Sequence, residues 1–255
     1  MIIQTIIEQF KLRRLLIIFL LVSNLCFAKQ YQNGLILPDF EKLEMSEVCC
    51  VYLPQEGFTV FNSPGGENIG YLTKLNERND DDQAPYKIYF IDKTTKTLKQ
   101  IDLSILKEID YEIWAITYFE RKNGYVRILD NNVGYWLNEN DIEEKNFKIE
   151  NWKTFLIANK DNLLGYYAND PGLNLQLLPS KDSDVIVILK GDLYEIIPTE
   201  QSQTNWVKVK VKKYKEHPCE SGLNEDELIE ENYKGWIELV EDNGMPNVWY
   251  YSRGC

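Results

Sequence analysis

The chain is poor in the residues that catalysis usually draws on. Histidine occurs once, as His217, between Glu216 and Pro218 and two residues before Cys219. A Cys/His nucleophile pair needs the imidazole to meet the sulfur with a third group orienting it, and this spacing across a proline does not supply that. A zinc site built on His217, Cys219 and Cys255 lacks a fourth ligand. The run Asp80-Asp81-Asp82 lacks the alternating spacing and the downstream bidentate glutamate of a calcium loop. No phosphate-cradling glycine loop and no nucleophile elbow is present. The expectation is a protein that is not an enzyme, with no catalytic residues, no metal and no cofactor.

Positive charge is also scarce. Twenty-eight Lys and Arg face 40 Asp and Glu, a net charge of -12. Such a field repels phosphate backbones and anionic lipid surfaces, so nucleic acid is excluded as a partner. The conspicuous long apolar run lies near the N-terminus. Lys11, Arg13 and Arg14 precede the apolar Leu15 to Val22, and Cys26-Phe27-Ala28 follows as a small-x-small cleavage site. Leu15 to Ala28 is uncharged for 14 residues, short of the ~20 that cross a bilayer. Residues 1–28 therefore read as a cleaved secretory signal peptide, with a retained anchor as the competing reading. Leu25 before Cys26 argues against a lipoprotein signal. Removing the segment takes away three positive residues and one negative (Glu8), so -12 becomes -14. The protein is expected to be exported, to the periplasm, the cell envelope or the medium, with no stable membrane insertion after cleavage.

Export suits the cysteines. Cys49, Cys50, Cys219 and Cys255 remain, and four cysteines allow three connectivities. Adjacent cysteines bridge only through a strained ring. The expected disulfide is Cys219–Cys255, which would tie an acidic insertion to the C-terminal end and contribute about 3–4 kcal/mol if unstrained. Whether Cys49 and Cys50 pair, or are simple strand residues, stays open.

What the chain does have is a pattern that occurs twice. Gly57-Phe58-Thr59-Val60-Phe61-Asn62-Ser63-Pro64 returns as Gly172-Leu173-Asn174-Leu175-Gln176-Leu177-Leu178-Pro179. Short alternating strands with Gly, Pro and Asn punctuation run through both halves, which predicts an all-β fold of small barrels or sandwiches. Strands are expected at 47–53, 86–91, 98–103, 111–119, 125–129 and 135–137. In the second half they are expected at 173–177, 185–189, 193–197, 206–211 and 236–240. Asp92 to Thr97 reads as a hairpin turn. The acidic Asn224 to Glu231 reads as one short helix.

The second half carries Gly172 to Pro179, then Val185 to Asp192, then Asn205-Trp206-Val207-Lys208-Val209, then Lys234-Gly235-Trp236-Ile237. This order resembles a bacterial SH3-like domain. Gln176 stands where that family usually has arginine, and the turn before Lys190-Gly191 lacks its first glycine. The first half is similar over a shorter Pro64-to-Leu72 arm, with the family's strand resuming at Asp110 to Trp114. The resemblance implies two small SH3-like barrels in tandem, each with a loop insertion. The first is residues 46–148 with insertion 73–105. The second is residues 158–255 with insertion 212–233 and a C-terminal tail, and a linker at 29–45 leads into the pair.

Successive side chains of a strand point to opposite sides. In Trp206 to Val211 the valines share one face, and Trp206 shares the other with Lys208 and Lys210. Tyr125 stands with Arg127 in the same way. Trp236 stands with Glu238, and Tyr135 is taken as its counterpart. These four rings, Trp206, Trp236, Tyr125 and Tyr135, are the candidate ligand-binding residues, since amphipathic rings suit grooves for extended peptides. The competing reading is that the insertions fold over them and make a minor core. Bacterial SH3-like domains are often targeting modules of peptidoglycan hydrolases, and the catalytic half is absent here. The resemblance thus implies a non-catalytic cell-envelope binding protein that recognises peptidoglycan stem peptides or an extended protein segment. The alternative is an acidic protein inhibitor or immunity factor for a basic envelope enzyme.

Overall fold

In a computed structural model the described residues are 32–43, 50–51, 53–54, 56–74, 87–111, 113–129, 134–161 and 165–250. The segment expected as a signal peptide, the Asp80 to Asp82 run, Cys49 and Cys255 lie outside them. Strand dominates, as the alternation predicts, with three short α-helices among the described residues.

The first half contains strands β1 (Gly34–Pro38), β2 (Cys50–Val51), β3 (Phe58–Phe61), β4 (Asn68–Lys74), β5 (Ile88–Asp92) and β6 (Leu98–Gln100). It continues with β7 (Leu106–Asp110), β8 (Ile113–Tyr118), β9 (Glu120–Lys122), β10 (Tyr125–Arg127) and β11 (Trp136–Asn138). Helix α1 (Glu139–Glu144), β12 (Phe147–Asn151) and helix α2 (Trp152–Ala158) follow. The second half contains β13 (Tyr166–Gln176), β14 (Val185–Gln203), β15 (Trp206–Tyr214), helix α3 (Glu225–Leu228), β16 (Ile229–Glu238) and β17 (Val248–Tyr250).

These strands form three sheets. One has the order β6-β5-β4-β3-β11-β10-β9. In the second half β13, β14, β15 and β16 pair in succession and β16 returns to β13, so the pairing closes on itself, with β17 added along β13. The third sheet, β12-β1-β8-β2 with β7 also on β8, lies between two hydrophobic cores. Ile36, Ile116, Tyr118 and Phe147 belong to a first core with Phe58, Val60, Leu72 and Leu137. Leu35, Leu37, Ile113 and Ala115 belong to a second core with Leu175, Val207, Val209 and Ile237. Alternation along β1 thus sends its side chains to two different cores, which is why all five of its residues are buried.

This arrangement corrects four of the expected boundaries. Residues 29–45 are not merely a linker, because Gly34–Pro38 is a central strand paired on both sides. The stretch 73–105 is not a loop insertion throughout. Its strand β5 pairs with β4 and puts Ile88 and Phe90 into the first core. Residues 110–114 do not resume that sheet, since β8 belongs to the sheet between the cores. In the second half β15 and β16 pair from Trp206↔Glu238 to Tyr214↔Ile229, so only 215–228 separates them. The short acidic helix sits there as α3, where the Asn224 N–H donates to Glu227 Oε2 at 3.2 Å in a capping box.

The two strands expected at 185–189 and 193–197 are one, β14. Up to Gly191, whose φ of 66° is one that side chains resist, it pairs with β13 alone, and from Tyr194 it pairs with β15, with Ile196 bonded on both sides. The Asp92 turn is a tight hairpin, with the Asp92 carboxylate accepting the N–H groups of Thr95 at 2.7 Å and Thr94 at 2.8 Å. Those bonds hold its pKa below the usual carboxylate value.

Candidate functional site

Two groups of three strands share one register. In the first, Tyr125 opposes Asn138, Val126 opposes Leu137, and Arg127 opposes Trp136, which in turn opposes Phe61 of β3. In the second, Trp206 opposes Glu238, Val207 opposes Ile237, and Lys208 opposes Trp236, which opposes Gln176 of β13. The preceding pairs agree, Phe58↔Leu72 in one half and Leu173↔Leu189 in the other. The inward members, Val60, Val126 and Leu137 against Leu175, Val207 and Ile237, are all 0% exposed. The outward members form equivalent rows, Phe61–Trp136–Arg127 and Gln176–Trp236–Lys208, each a tryptophan flanked by a cation.

The candidate rings divide on this frame. Trp236 and Tyr125 lie half-buried on the outward faces, and Tyr125 meets Phe61 edge to face at a centroid distance of 5.4 Å. Tyr135 is not on that face. It is 5% exposed, belongs to the first core and packs edge to face on Phe90 at 4.8 Å. The counterpart of Trp236 is Trp136, one residue later. The reason is local: a Cβ on Gly134 would sit 2.0 Å from the Asn62 carbonyl oxygen, and one residue separates this close approach from Trp136. In the second half a Cβ on Gly235 would sit 2.6 Å from the Gln176 carbonyl oxygen, and Trp236 follows directly.

Trp206 has the expected parity but is only 8% exposed. It opens its strand directly after a tied turn. The Asn205 Nδ2 donates to the Glu241 carbonyl at 3.1 Å, the Leu239 N–H donates to the Asn205 carbonyl at 2.9 Å, and Lys153 Nζ donates to the Thr204 carbonyl. Two segments are thereby tied to the turn that leads into β15. Trp206 supports the outward face without being an open platform.

The electrostatics of the two rows differ. Arg127 donates from Nε to Glu120 Oε2 at 3.2 Å and from Nη1 to the Leu129 carbonyl, so its charge is met within the protein. Lys208 has no ion-pair partner among the described residues. Glu238, opposite Trp206, pairs with Lys181 at 3.1 Å. Gln176 is 4% exposed, and its Oε1 has no hydrogen-bond partner among the described residues. An unmet buried acceptor costs about 1–3 kcal/mol and calls for an explanation. The neighbouring hairpin exposes Leu177, Leu178, Val185, Ile186 and Ile188.

His217 faces Asp192 with Nε2 3.8 Å from Oδ2, and its Nδ1 accepts the Cys219 N–H at 3.2 Å, an arrangement that positions a loop. Among the described residues no cluster of three metal-ligating side chains occurs, and no helix is long and apolar enough to cross a membrane. Comparison with protein-family models, curated proteins and solved structures finds no match.

Proposed function

We propose that the chain is an exported, non-catalytic binding protein of the cell envelope, built on two SH3-like modules, that recognises an extended peptide such as a peptidoglycan stem peptide. Recognition uses the outward row centred on Trp236, while its counterpart Trp136, 7% exposed, backs the equivalent face of the first half as Trp206 does in the second. The observation that carries this reading is the recurrence, at equivalent register, of a tryptophan beside a cation on a face the core does not need. A fold that required only a hydrophobic interior would have no reason to keep that outward pair in both halves. The exposed apolar hairpin at 177–188 adds surface of the sort that marks interaction sites.

The export signal at residues 1–28 and a Cys219–Cys255 bridge belong to the same reading. The bridge is supported by the oxidising compartments in which such bonds persist. Sedimentation with purified sacculi tests the function. The intact protein is expected in the pellet, and Trp236→Ala combined with Tyr125→Ala in the supernatant, with circular dichroism unchanged. Retention of that double variant would refute the assignment. The net charge of -12 favours a second reading, an inhibitor of a basic envelope enzyme. A single stoichiometric basic partner in an envelope pull-down, without sacculus binding, would select it.

A further inference from the structure

At Lys208, the residue opposite Trp236, lies a cavity of about 380 Å³ lined also by Thr199, Glu200, Gln201, Val209, Lys210 and Lys234. It is formed where β14 bulges away from β15: the register passes from Pro198↔Val209 to Ser202↔Val207, leaving Thr199, Glu200 and Gln201 against Lys208 alone. The Thr199 hydroxyl fixes the bulge by donating to the Lys208 carbonyl at 2.8 Å. Bulges of this kind recur beside binding sites because they re-aim side chains.

The charges around this cavity are not balanced. Lys210 stands directly opposite Lys234, and Lys208 is two residues from Lys210 on the same outward face. Directly opposed like charges weaken a β ladder. None of the three lysines has an ion-pair partner among the described residues. The one acid at the cavity, Glu200, is engaged by Lys160 at 2.8 Å. Elsewhere on this strand Lys212 pairs with Glu195 and Lys213 with Glu230, so acids are placed against lysines where the fold uses them. Three uncompensated lysines in a chain with 40 acidic residues are therefore a local feature, not a general basic surface. The first half has no equivalent, because the cation at that register, Arg127, is already paired with Glu120.

We infer that this cavity is an anion subsite that takes a carboxylate of an extended peptide, whose neighbouring residues lie along Trp236. The cavity wall is almost wholly apolar, the lysine stems included, and the charge comes from ammonium groups that a bound carboxylate would draw over it, so the site suits an organic anion over an inorganic one. The inference names the chemistry at one end of the surface proposed above and rests on that reading for the remainder of the ligand.

Titration of the full chain with triglutamate, trilysine and inorganic phosphate, followed by calorimetry, tests it. Triglutamate is expected to bind saturably and to weaken as salt is raised, with trilysine inert and phosphate much weaker. Lys210→Glu is expected to lose at least tenfold in triglutamate affinity while its melting temperature holds or rises, since the like-charge pair is relieved. Lys234→Gln is expected to lose affinity too, and Lys210→Arg to retain it. Absence of triglutamate binding, equal affinity for phosphate, or undiminished binding in Lys210→Glu and Lys234→Gln overturns the subsite. Sacculus sedimentation separates the two readings. A protein that pellets with sacculi but ignores triglutamate removes the subsite alone, whereas triglutamate binding without sedimentation keeps the subsite and removes the cell-wall assignment.

Discussion

Strand β1 makes the two cores mechanically inseparable, and Leu35→Ala exposes this. Leu35 is 0% exposed in the second core, while its neighbour Ile36, also 0% exposed, fills the first. Truncating a fully buried leucine removes its transfer free energy and leaves a cavity, about 2–5 kcal/mol in all. Domains hold only about 5–15 kcal/mol of net stability, so the loss is a large fraction of the total. At about 2–4 °C per kcal/mol for a chain of this size, a loss near the middle of that range lowers the melting temperature by roughly 10 °C. The side chain touches one core only, yet both are expected to melt together, because β1 and β8 supply residues to each. Calorimetry together with hydrogen exchange at Val126 and Leu137 in one core and Val207 and Val209 in the other distinguishes the cases. One transition with coincident loss of protection is expected. A biphasic melt in which Val126 and Leu137 stay protected after Val207 and Val209 have exchanged would refute the shared-strand argument.

Alkaline pH acts through buried tyrosines. Burial pushes Tyr118 up to about 12 and also raises Tyr166, Tyr250 and Tyr214, the last further raised by its hydrogen bond to Glu195. The unfolded chain ionises these groups near pH ~10, so their contribution is complete below that pH and is lost as pH rises through the folded values. Phenolate absorbance should therefore appear for these residues only with cooperative loss of circular dichroism; their ionisation in the folded protein would contradict it. Asn151→Ala removes the oxygen that accepts the Thr154 N–H at 2.9 Å and caps α2, and should cost about 1 kcal/mol in urea unfolding. Gly134→Ala should cost about 1–3 kcal/mol by forcing its Cβ against Asn62. Gly222→Ala, with nothing within 4 Å of the added carbon, should leave stability unchanged. Equal effects at the two glycines would remove the close-approach explanation for Trp136.

Much of the local order was legible. The Gly57 and Gly172 repeats align in register to the residue, through Phe58↔Leu72 and Leu173↔Leu189, because period-2 burial and turn residues are local signals. The architecture between the cores was not. Gly34-Leu35-Ile36-Leu37-Pro38 has no alternation to read, since both of its faces are buried, and its partners lie at 116–118 and 147–151. Helices α1 and α2 are not legible in the sequence although Asn138 and Asn151 cap them, because each follows a strand without a break and is only six or seven residues long. At the candidate site, parity identified the face of Trp206 and Trp236 but not its cover. The turn before Trp206 is tied through Asn205 and Thr204 to Glu241, Leu239 and Lys153, none of them its neighbours in sequence. The exchange of Tyr135 for Trp136 turned on a backbone approach that no periodicity records.

The most direct test of the recognition surface is the indole N–H resonance of Trp236, assigned with a Trp236→Phe variant, during titration with a soluble peptidoglycan stem peptide. A saturable shift of that resonance, with the amides of Lys208 and Gln176 following the same isotherm, is the predicted result. An indole signal that stays fixed while binding is measured elsewhere on the molecule would contradict it.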